Sequence, residues 1–294
     1  EDLNGAFEGV GIQLGYNKDE QLVVVAPLAG LPAERAGVKA GDLILKIDDK
    51  DTIGVSLPEA VKLIRGSKGT SVKLTLLHQN EDKPYEAAIV REAIVVPSVE
   101  VKYEDKIAHL KLTRFGDRTN DEWNKAIEEI IAHGGQGVVL DLRNNPGGYL
   151  TGSVFISSEF LSSGVIVQQE SAKGERETFS VNRRGKLTSI PLIVLVNEGS
   201  ASASEIVAGA LQDYGRAKIV GEKTFGKGTI QEAQDLSGGA GEGAGLHITT
   251  ARWLLPKGRS IDKEGIIPDV SIADDPKTEK DEQLEKAIEI LTKI

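Results

Sequence analysis

The chain has 294 residues, 39% apolar and 27% charged, which suits two domains or one large one burying most of its apolar surface. Every apolar run falls short of the roughly 18 residues that span a bilayer, so transmembrane insertion and wholesale disorder are both excluded. Thirty-five basic against 45 acidic residues give −10, which disfavours nucleic acid and anionic lipid, and the lack of cysteine leaves covalent chemistry to serine, threonine, lysine or a carboxylate.

In chain order, residues 9–14, 21–26, 42–47 and 71–77 are short β-rich runs separated by turn residues. Among them lies one strong helix signal, residues 56–65, with Ser56 as N-cap, Pro58 in the first turn, Glu59 three after the cap and Gly66 just past the end. These elements predict a small β-rich module, and residues 92–99 with Pro97 read as the linker out of it. From residue 107 strands alternate with helices: strand 107–112, helix 120–133 with Trp123, Ala126, Ile127, Ile130 and Ile131 at helical spacing, strand 136–142, helix 152–161, strand 191–196 and helix 203–214. The nearly continuous apolar strands suit burial on both faces, as in a largely parallel sheet. Residues 236–246, rich in glycine, read as a hairpin tip. The tail 276–294 reads as an amphipathic helix whose stripe of Leu284, Ile288 and Leu291 is packing.

Three segments can carry chemistry. Residues 196–206 end a buried strand, turn through small residues and start a helix; Ser200, Ser202 and Ser204 lie where α/β folds place ligands, and first-turn amides can hold an anion. Ser202 and Glu205 also form a capping-box pattern, so Ser202 as a plain helix cap stays open. Residues 221–228 differ by one residue from a nucleotide-binding loop, but Gly228 replaces the required hydroxyl and an extended run, not a helix, follows. Lys227, between two glycines and beside Phe225, is instead expected to be buried, which would disfavour its charged form and make it a general base for a serine. Residues 141–148 end another buried strand in Asn-Pro-Gly-Gly, which is either a turn or a source of close backbone amides for an oxyanion.

Taken together, residues 7–12, 33–42, 63–66, 141–148, 199–205, 224–228 and 250–253 resemble the carboxy-terminal processing, or tail-specific, proteases over nearly the whole chain. The resemblance implies an α/β and β-rich multidomain fold: a PDZ-like tail-binding domain at 1–95, with 1–6 a candidate start of the protease core, a crotonase/Clp-like β/α serine protease core at 96–275, and the C-terminal helix. It implies Ser202 as nucleophile and Lys227 as base, 25 positions apart, with Gln231 orienting the base and Asp213 structural. It further implies an oxyanion hole from the amides of Ala203 and of Gly147 or Gly148 and no metal or cofactor, and Ser200 could take the capping role so that cap and nucleophile need not compete. Gly9, Val10, Gly11 and Ile12 match the loop that captures a terminal carboxylate, and Arg65 matches an arginine coupling tail binding to the active site. The partners implied are proteins or peptides with free C-terminal tails, with no nucleic acid, no stable membrane insertion and a homo-oligomer as an open possibility. The chain opens at Glu1 without a basic, apolar leader, after the N-terminal helical segment usual in the family, and the location implied is the periplasm or cell envelope. Two rival readings are a catalytically inactive PDZ-containing scaffold and a Ser-His-Asp hydrolase pairing Ser202 with His247.

Overall fold

Strands with one buried face fill the first third of the chain, and strands buried on both faces, Gly137–Asp141 and Leu192–Val196, occur only after it. The computed structural model describes residues 6–79, 81–235, 245–274, 278 and 280–293, and the chain divides into two units, Glu1–Val96 and Pro97–Ile294.

The first unit contains β1 (Ala6–Gly9), β2 (Ile12–Tyr16), β3 (Leu22–Pro27), α1 (Pro32–Arg35), β4 (Leu43–Ile47), β5 (Lys50–Asp51), α2 (Leu57–Ile64), β6 (Ser71–Leu77), β7 (Tyr85–Val90) and β8 (Glu92–Val95). An antiparallel sheet runs in the order β2-β3-β4-β6-β7, with β5 beside β4. Its logic is alternation: Val72, Leu74 and Leu76 of β6 are fully buried, while the residues between them face outward. Two expectations need correction. Ser56 precedes α2 in an extended conformation but makes no side-chain cap bond, so Pro58 and Glu59 carry the helix start. Residues 92–95 are strand rather than linker: they pair antiparallel with β1, because Ile94 alternates inward and is fully buried.

The second unit contains β9 (Val99–Glu104), β10 (Ile107–Leu112), α3 (Thr119–Ala132), β11 (Gly137–Asp141), α4 (Leu150–Phe160), β12 (Val165–Ser171), β13 (Arg176–Ser180), β14 (Leu192–Val196), α5 (Ala203–Asp213), β15 (Lys218–Gly221), β16 (Thr229–Asp235), β17 (Gly245–Leu254), β18 (Val270–Ser271) and α6 (Glu282–Leu291). One sheet runs β18-β15-β14-β11-β10-β9, parallel except for β9 at its edge. Both faces are covered. Val138, Leu140, Val194 and Val196 join the core under α3, α4 and α5, while Val139, Ile193, Leu195 and Val220 pack beneath Ala287 and Leu291 of α6. The α6 stripe is thus packing. Ile131 of α3, expected in the core, is 48% exposed, since the buried face of that helix is complete with Trp123, Ala126, Ile127 and Ile130.

A second sheet, β13-β12-β17-β16, is antiparallel and was not legible from the sequence as a sheet. β16 and β17 pair antiparallel; of the expected tip 236–246, Gly245 and Leu246 belong to β17 and residues 236–244 lie outside the described residues. Among the described residues no helix is long and apolar enough to cross a membrane.

Candidate active site

The three serines after β14 separate by environment. Ser200 Oγ donates to the Leu142 carbonyl at 2.8 Å and accepts from the Asn197 amide at 3.0 Å, and Ser204 Oγ donates to the Asn145 carbonyl at 2.9 Å. Both are fully buried, tying the turn to the end of β11. Ser200 is therefore structural and does not take up the capping role open to it, since its hydroxyl already serves Leu142 and Asn197; the N-cap of α5 is Ser202, in a capping box with Glu205. Ser202 is the half-buried one. It stands at φ 57°, ψ −115°, a conformation that costs a non-glycine residue about 1–3 kcal/mol and is commonest at functional sites. That strained corner makes the strand-to-helix turn sharp and puts the serine at the N-terminus of α5, where the amide of Ala203 has no partner within the helix.

Glu205, on the first turn of α5, is fully buried and organises the site. Its Oε2 accepts from the amides of Ser202 at 2.8 Å and Lys227 at 2.9 Å. Its Oε1 accepts from Thr224 Oγ1 at 2.6 Å and the Gly226 amide at 2.7 Å. One side chain thus fixes the backbones of Ser202 and Lys227 relative to each other. The capping pattern in the sequence pointed to the local half of this arrangement; the half reaching across 22 positions had no sequence signal.

The side chain of Lys227 is exposed, which corrects the expectation of burial. The flanking glycines serve a different purpose. A Cβ on Gly228 would lie 2.1 Å from the Asp262 amide nitrogen, and one on Gly226, at φ +88°, would crowd Lys263 and Gly265. The loop needs glycine so that it can lie flat against the 262–265 backbone, with Lys263 N donating to Gly226 O and Trp253 N to Gly228 O. Lys227 then faces away from that support. No hydrogen bond among the described residues joins its amino group to Ser202.

The turn after β11 approaches Ser202 closely. A Cβ on Gly147 would meet Ala201 O, Ala203 N and Ser202 Cβ at 2.8–2.9 Å, and one on Gly148 would lie 2.1 Å from Phe115 O. Only glycines with φ of +99° and +137° permit that packing. The Gly147 amide donates to Asn145 Oδ1 at 2.9 Å, so of the two candidate oxyanion donors Gly148 is the one without that engagement. Asn145, fully buried and missed by sequence reasoning, also donates to Leu112 O at 2.8 Å and so holds the turn in place.

The other expected residues are dispersed. Gln231 lies in β16 and His247 in β17; their side chains lie outside the described residues. Asp213, at the end of α5, accepts from Lys257 N and Arg259 Nε, both at 2.9 Å. In the first unit, Gly9 ends β1, Val10 and Gly11 form the connecting loop, and Ile12 starts β2. The Val10 and Gly11 carbonyls accept from Ala33 and Leu28, both at 2.9 Å, which fixes the loop. These residues and Ile64 line a cavity of about 80 Å3 with Arg65, whose guanidinium sits 4.5 Å over the Phe7 ring. In the second unit a larger cleft, about 810 Å3, begins at Thr229, two residues beyond Lys227, and is walled by Asp262 and Glu264.

Beside the site, at the end of β11, Asp141 is 1% exposed. Burial pushes its carboxyl up, but His109 at 2.9 Å and Arg143 at 2.7 Å outweigh that and hold it well below the usual carboxylate range. Arg143 reaches on to both oxygens of Asp281 at 2.7 Å, and Asp281 caps α6 through the Leu284 amide at 2.9 Å. Asp281 is likewise depressed, with burial again opposing and Arg143 the main lowering influence.

Residues 106–272 match peptidase family S41, and residues 23–77 match the PDZ domain family. With a PDZ domain followed by a mixed α/β core whose serine and lysine loops meet on one carboxylate, the chain belongs to peptidase family S41. It is similar to the carboxyl-terminal-processing protease of Synechocystis sp., with 42% identity over 271 residues covering 90% of this chain and 62% of that protein. It is 39% identical over 300 residues to the carboxyl-terminal-processing protease of Picosynechococcus sp., covering 98% of this chain and 71% of that one. Among solved structures it is similar to a photosystem II D1 C-terminal processing protease, with 32% identity and a TM-score of 0.57 over 98% of this chain and 77% of that one. The chain thus spans less than two thirds of the length of the Synechocystis relative.

Proposed function

We propose that this chain is a serine endopeptidase that cleaves polypeptides near their C-terminus, with Ser202 as nucleophile and Lys227 as general base. The observation that carries the reading is Glu205, which binds the amides of both residues on one oxygen, at 2.8 and 2.9 Å. A carboxylate used in this way fixes the relative position of two loops, which a nucleophile–base pair requires and a plain helix cap does not.

In this mechanism Lys227 takes the Ser202 proton as Oγ attacks the scissile carbonyl. The oxyanion is held by the amides of Ala203 and Gly148, since the Gly147 amide is engaged by Asn145. Collapse of the intermediate breaks the C–N bond as Lys227 returns the proton to the leaving amine, and the lysine, neutral again, deprotonates the water that hydrolyses the acyl-enzyme on Ser202. The lysine is exposed in the free chain, so the substrate itself, by covering the amino group, supplies the desolvation that favours the base form. Gln231 orients the lysine on this reading.

The first unit captures the tail. The terminal carboxylate meets the 9–12 loop and the peptide adds beside β2, an edge strand of its sheet. The small cavity beneath takes the last side chain. Arg65 couples tail capture to cleavage. The reading includes an extracytoplasmic location, which fractionation of expressing cells tests.

The decisive experiment is cleavage of an unfolded reporter with an apolar C-terminal tail by wild type, Ser202→Ala, Lys227→Ala and His247→Ala. The expected outcome is loss in the first two variants and retention in the third. Cleavage surviving in Lys227→Ala would remove the dyad, and tail binding without any cleavage by wild type would favour an inactive scaffold.

A further inference from the structure

We infer that Phe225 is a specificity-determining residue that receives an apolar side chain of the substrate beside the scissile bond. The inference rests on the peptidase reading above and goes beyond it by assigning a substrate class to the site. Thr224 Oγ1 and the Gly226 amide, one on each side of Phe225, both donate to the same buried oxygen, Glu205 Oε1, at 2.6 and 2.7 Å. Two donors converging on one acceptor draw the flanking backbone inward and turn the residue between them outward. Thr224 is 4% exposed; Phe225 is 68% exposed.

A single exposed aromatic ring is ordinary on a protein surface. This one differs in how it is held and where it stands. Its own amide donates to the Ser200 carbonyl at 3.0 Å, two residues before the nucleophile, and Lys227 follows two residues after it. The loop lies against the 262–265 backbone on its other side, so the ring is presented from a fixed support. The cleft beginning at Thr229 has only Ala172 and Ala251 as apolar side chains in its lining and no aromatic or large aliphatic one. The occupant that fits is an extended polypeptide whose main chain is threaded to Ser202 and whose leucine- or phenylalanine-like side chain then packs on Phe225. Aromatic side chains contribute large apolar contact area at low conformational cost, and discrimination between apolar and polar side chains follows from it.

The test uses two peptides sharing one apolar tail and differing only in Leu or Ser on the amino side of the cleaved bond. For Phe225→Ala, kcat/KM on the Leu peptide is expected to fall about tenfold, mainly through KM, while the Ser peptide changes less than about twofold. Phe225→Leu should keep the preference, and Ile131→Ala, an exposed apolar residue on α3, should leave both peptides unchanged. Phosphonylation of Ser202 by a small fluorophosphonate without an apolar arm, with fluoride leaving, should proceed at the wild-type rate in Phe225→Ala, which separates a recognition defect from a damaged site. Equal loss on both peptides, or no loss on either, overturns the inference and leaves the peptidase reading standing. If wild type neither cleaves a peptide nor is phosphonylated, the peptidase reading itself fails and the inference with it.

Discussion

Two buried carboxylates sit near the ends of neighbouring parallel strands, and they are held by opposite kinds of partner. Asp141, at the end of β11, meets the side chains of Arg143 and His109. Glu205, just after β14, meets three backbone amides and one hydroxyl. Through Arg143, Asp141 ties the sheet to Asp281 and hence to α6, which covers Val139, Ile193 and Leu195. Glu205 ties backbone to backbone, at the residues on which the proposed chemistry depends. A carboxylate paired with cations anchors an element; a carboxylate paired with amides sets the position of a loop. The first kind governs stability, the second geometry.

The comparison breaks most readily at Arg143. Arg143→Ala leaves Asp141 only His109 and the residue-143 backbone amide as partners for its buried charge, and removing one side-chain partner of a buried pair costs up to about 3–5 kcal/mol. Chemical denaturation should read that loss, while the loops around Ser202 should keep their positions. Glu205→Gln should do the reverse. A glutamine presents one acceptor and one donor to four converging donors, and a misplacement of about 1 Å can cost on the order of 100-fold in rate. Expected is a collapse of kcat with far-UV circular dichroism unchanged; a variant with wild-type kcat would deny Glu205 its positioning role.

Acid sharpens the contrast. Asp141 and Asp281 are depressed in the folded chain, so the stability they contribute is present at neutral pH and is lost as pH falls below the usual carboxylate range toward their folded values. The melting temperature of wild type should therefore drop steeply below about pH 4, and Asp281→Asn should flatten part of that drop. An unchanged acid profile in Asp281→Asn would place the acid sensitivity elsewhere. The smallest effect concerns the first unit. Arg65→Ala should weaken activation by added tail peptides several-fold, and full activation in that variant would remove Arg65 from the proposed coupling.

Much of the fold was legible because its causes are local. The apolar strands at 136–142 and 191–196, the helix after Ser202 and the stripe on α6 follow from periodicity, and each was expected within a few residues of where it lies. The β12–β13 pair and the conversion of 92–95 into a strand were not, because a short strand is defined by its partner: β8 exists through pairing with residues more than 80 positions away. The role of Asn145 was hidden for a related reason. In the sequence it reads as half of a turn, and only the packed chain brings Leu112 O and the Gly147 amide within its reach.

By itself the sequence determined which segments could carry chemistry: a small-residue turn at a strand end with three serines, a lysine between glycines, and a twin-glycine turn, all fixed by side-chain type and spacing. Tertiary structure alone decided how those segments are used. It sorted the serines, giving Ser200 and Ser204 buried backbone acceptors and leaving Ser202 at a strained corner. It turned Lys227 outward where spacing suggested burial, because its glycines are needed against the 262–265 backbone. And it let one buried carboxylate bind the amides of residues 202 and 227 together. Hydrogen bonds between distant backbones depend on where the whole chain packs, and no local pattern records that.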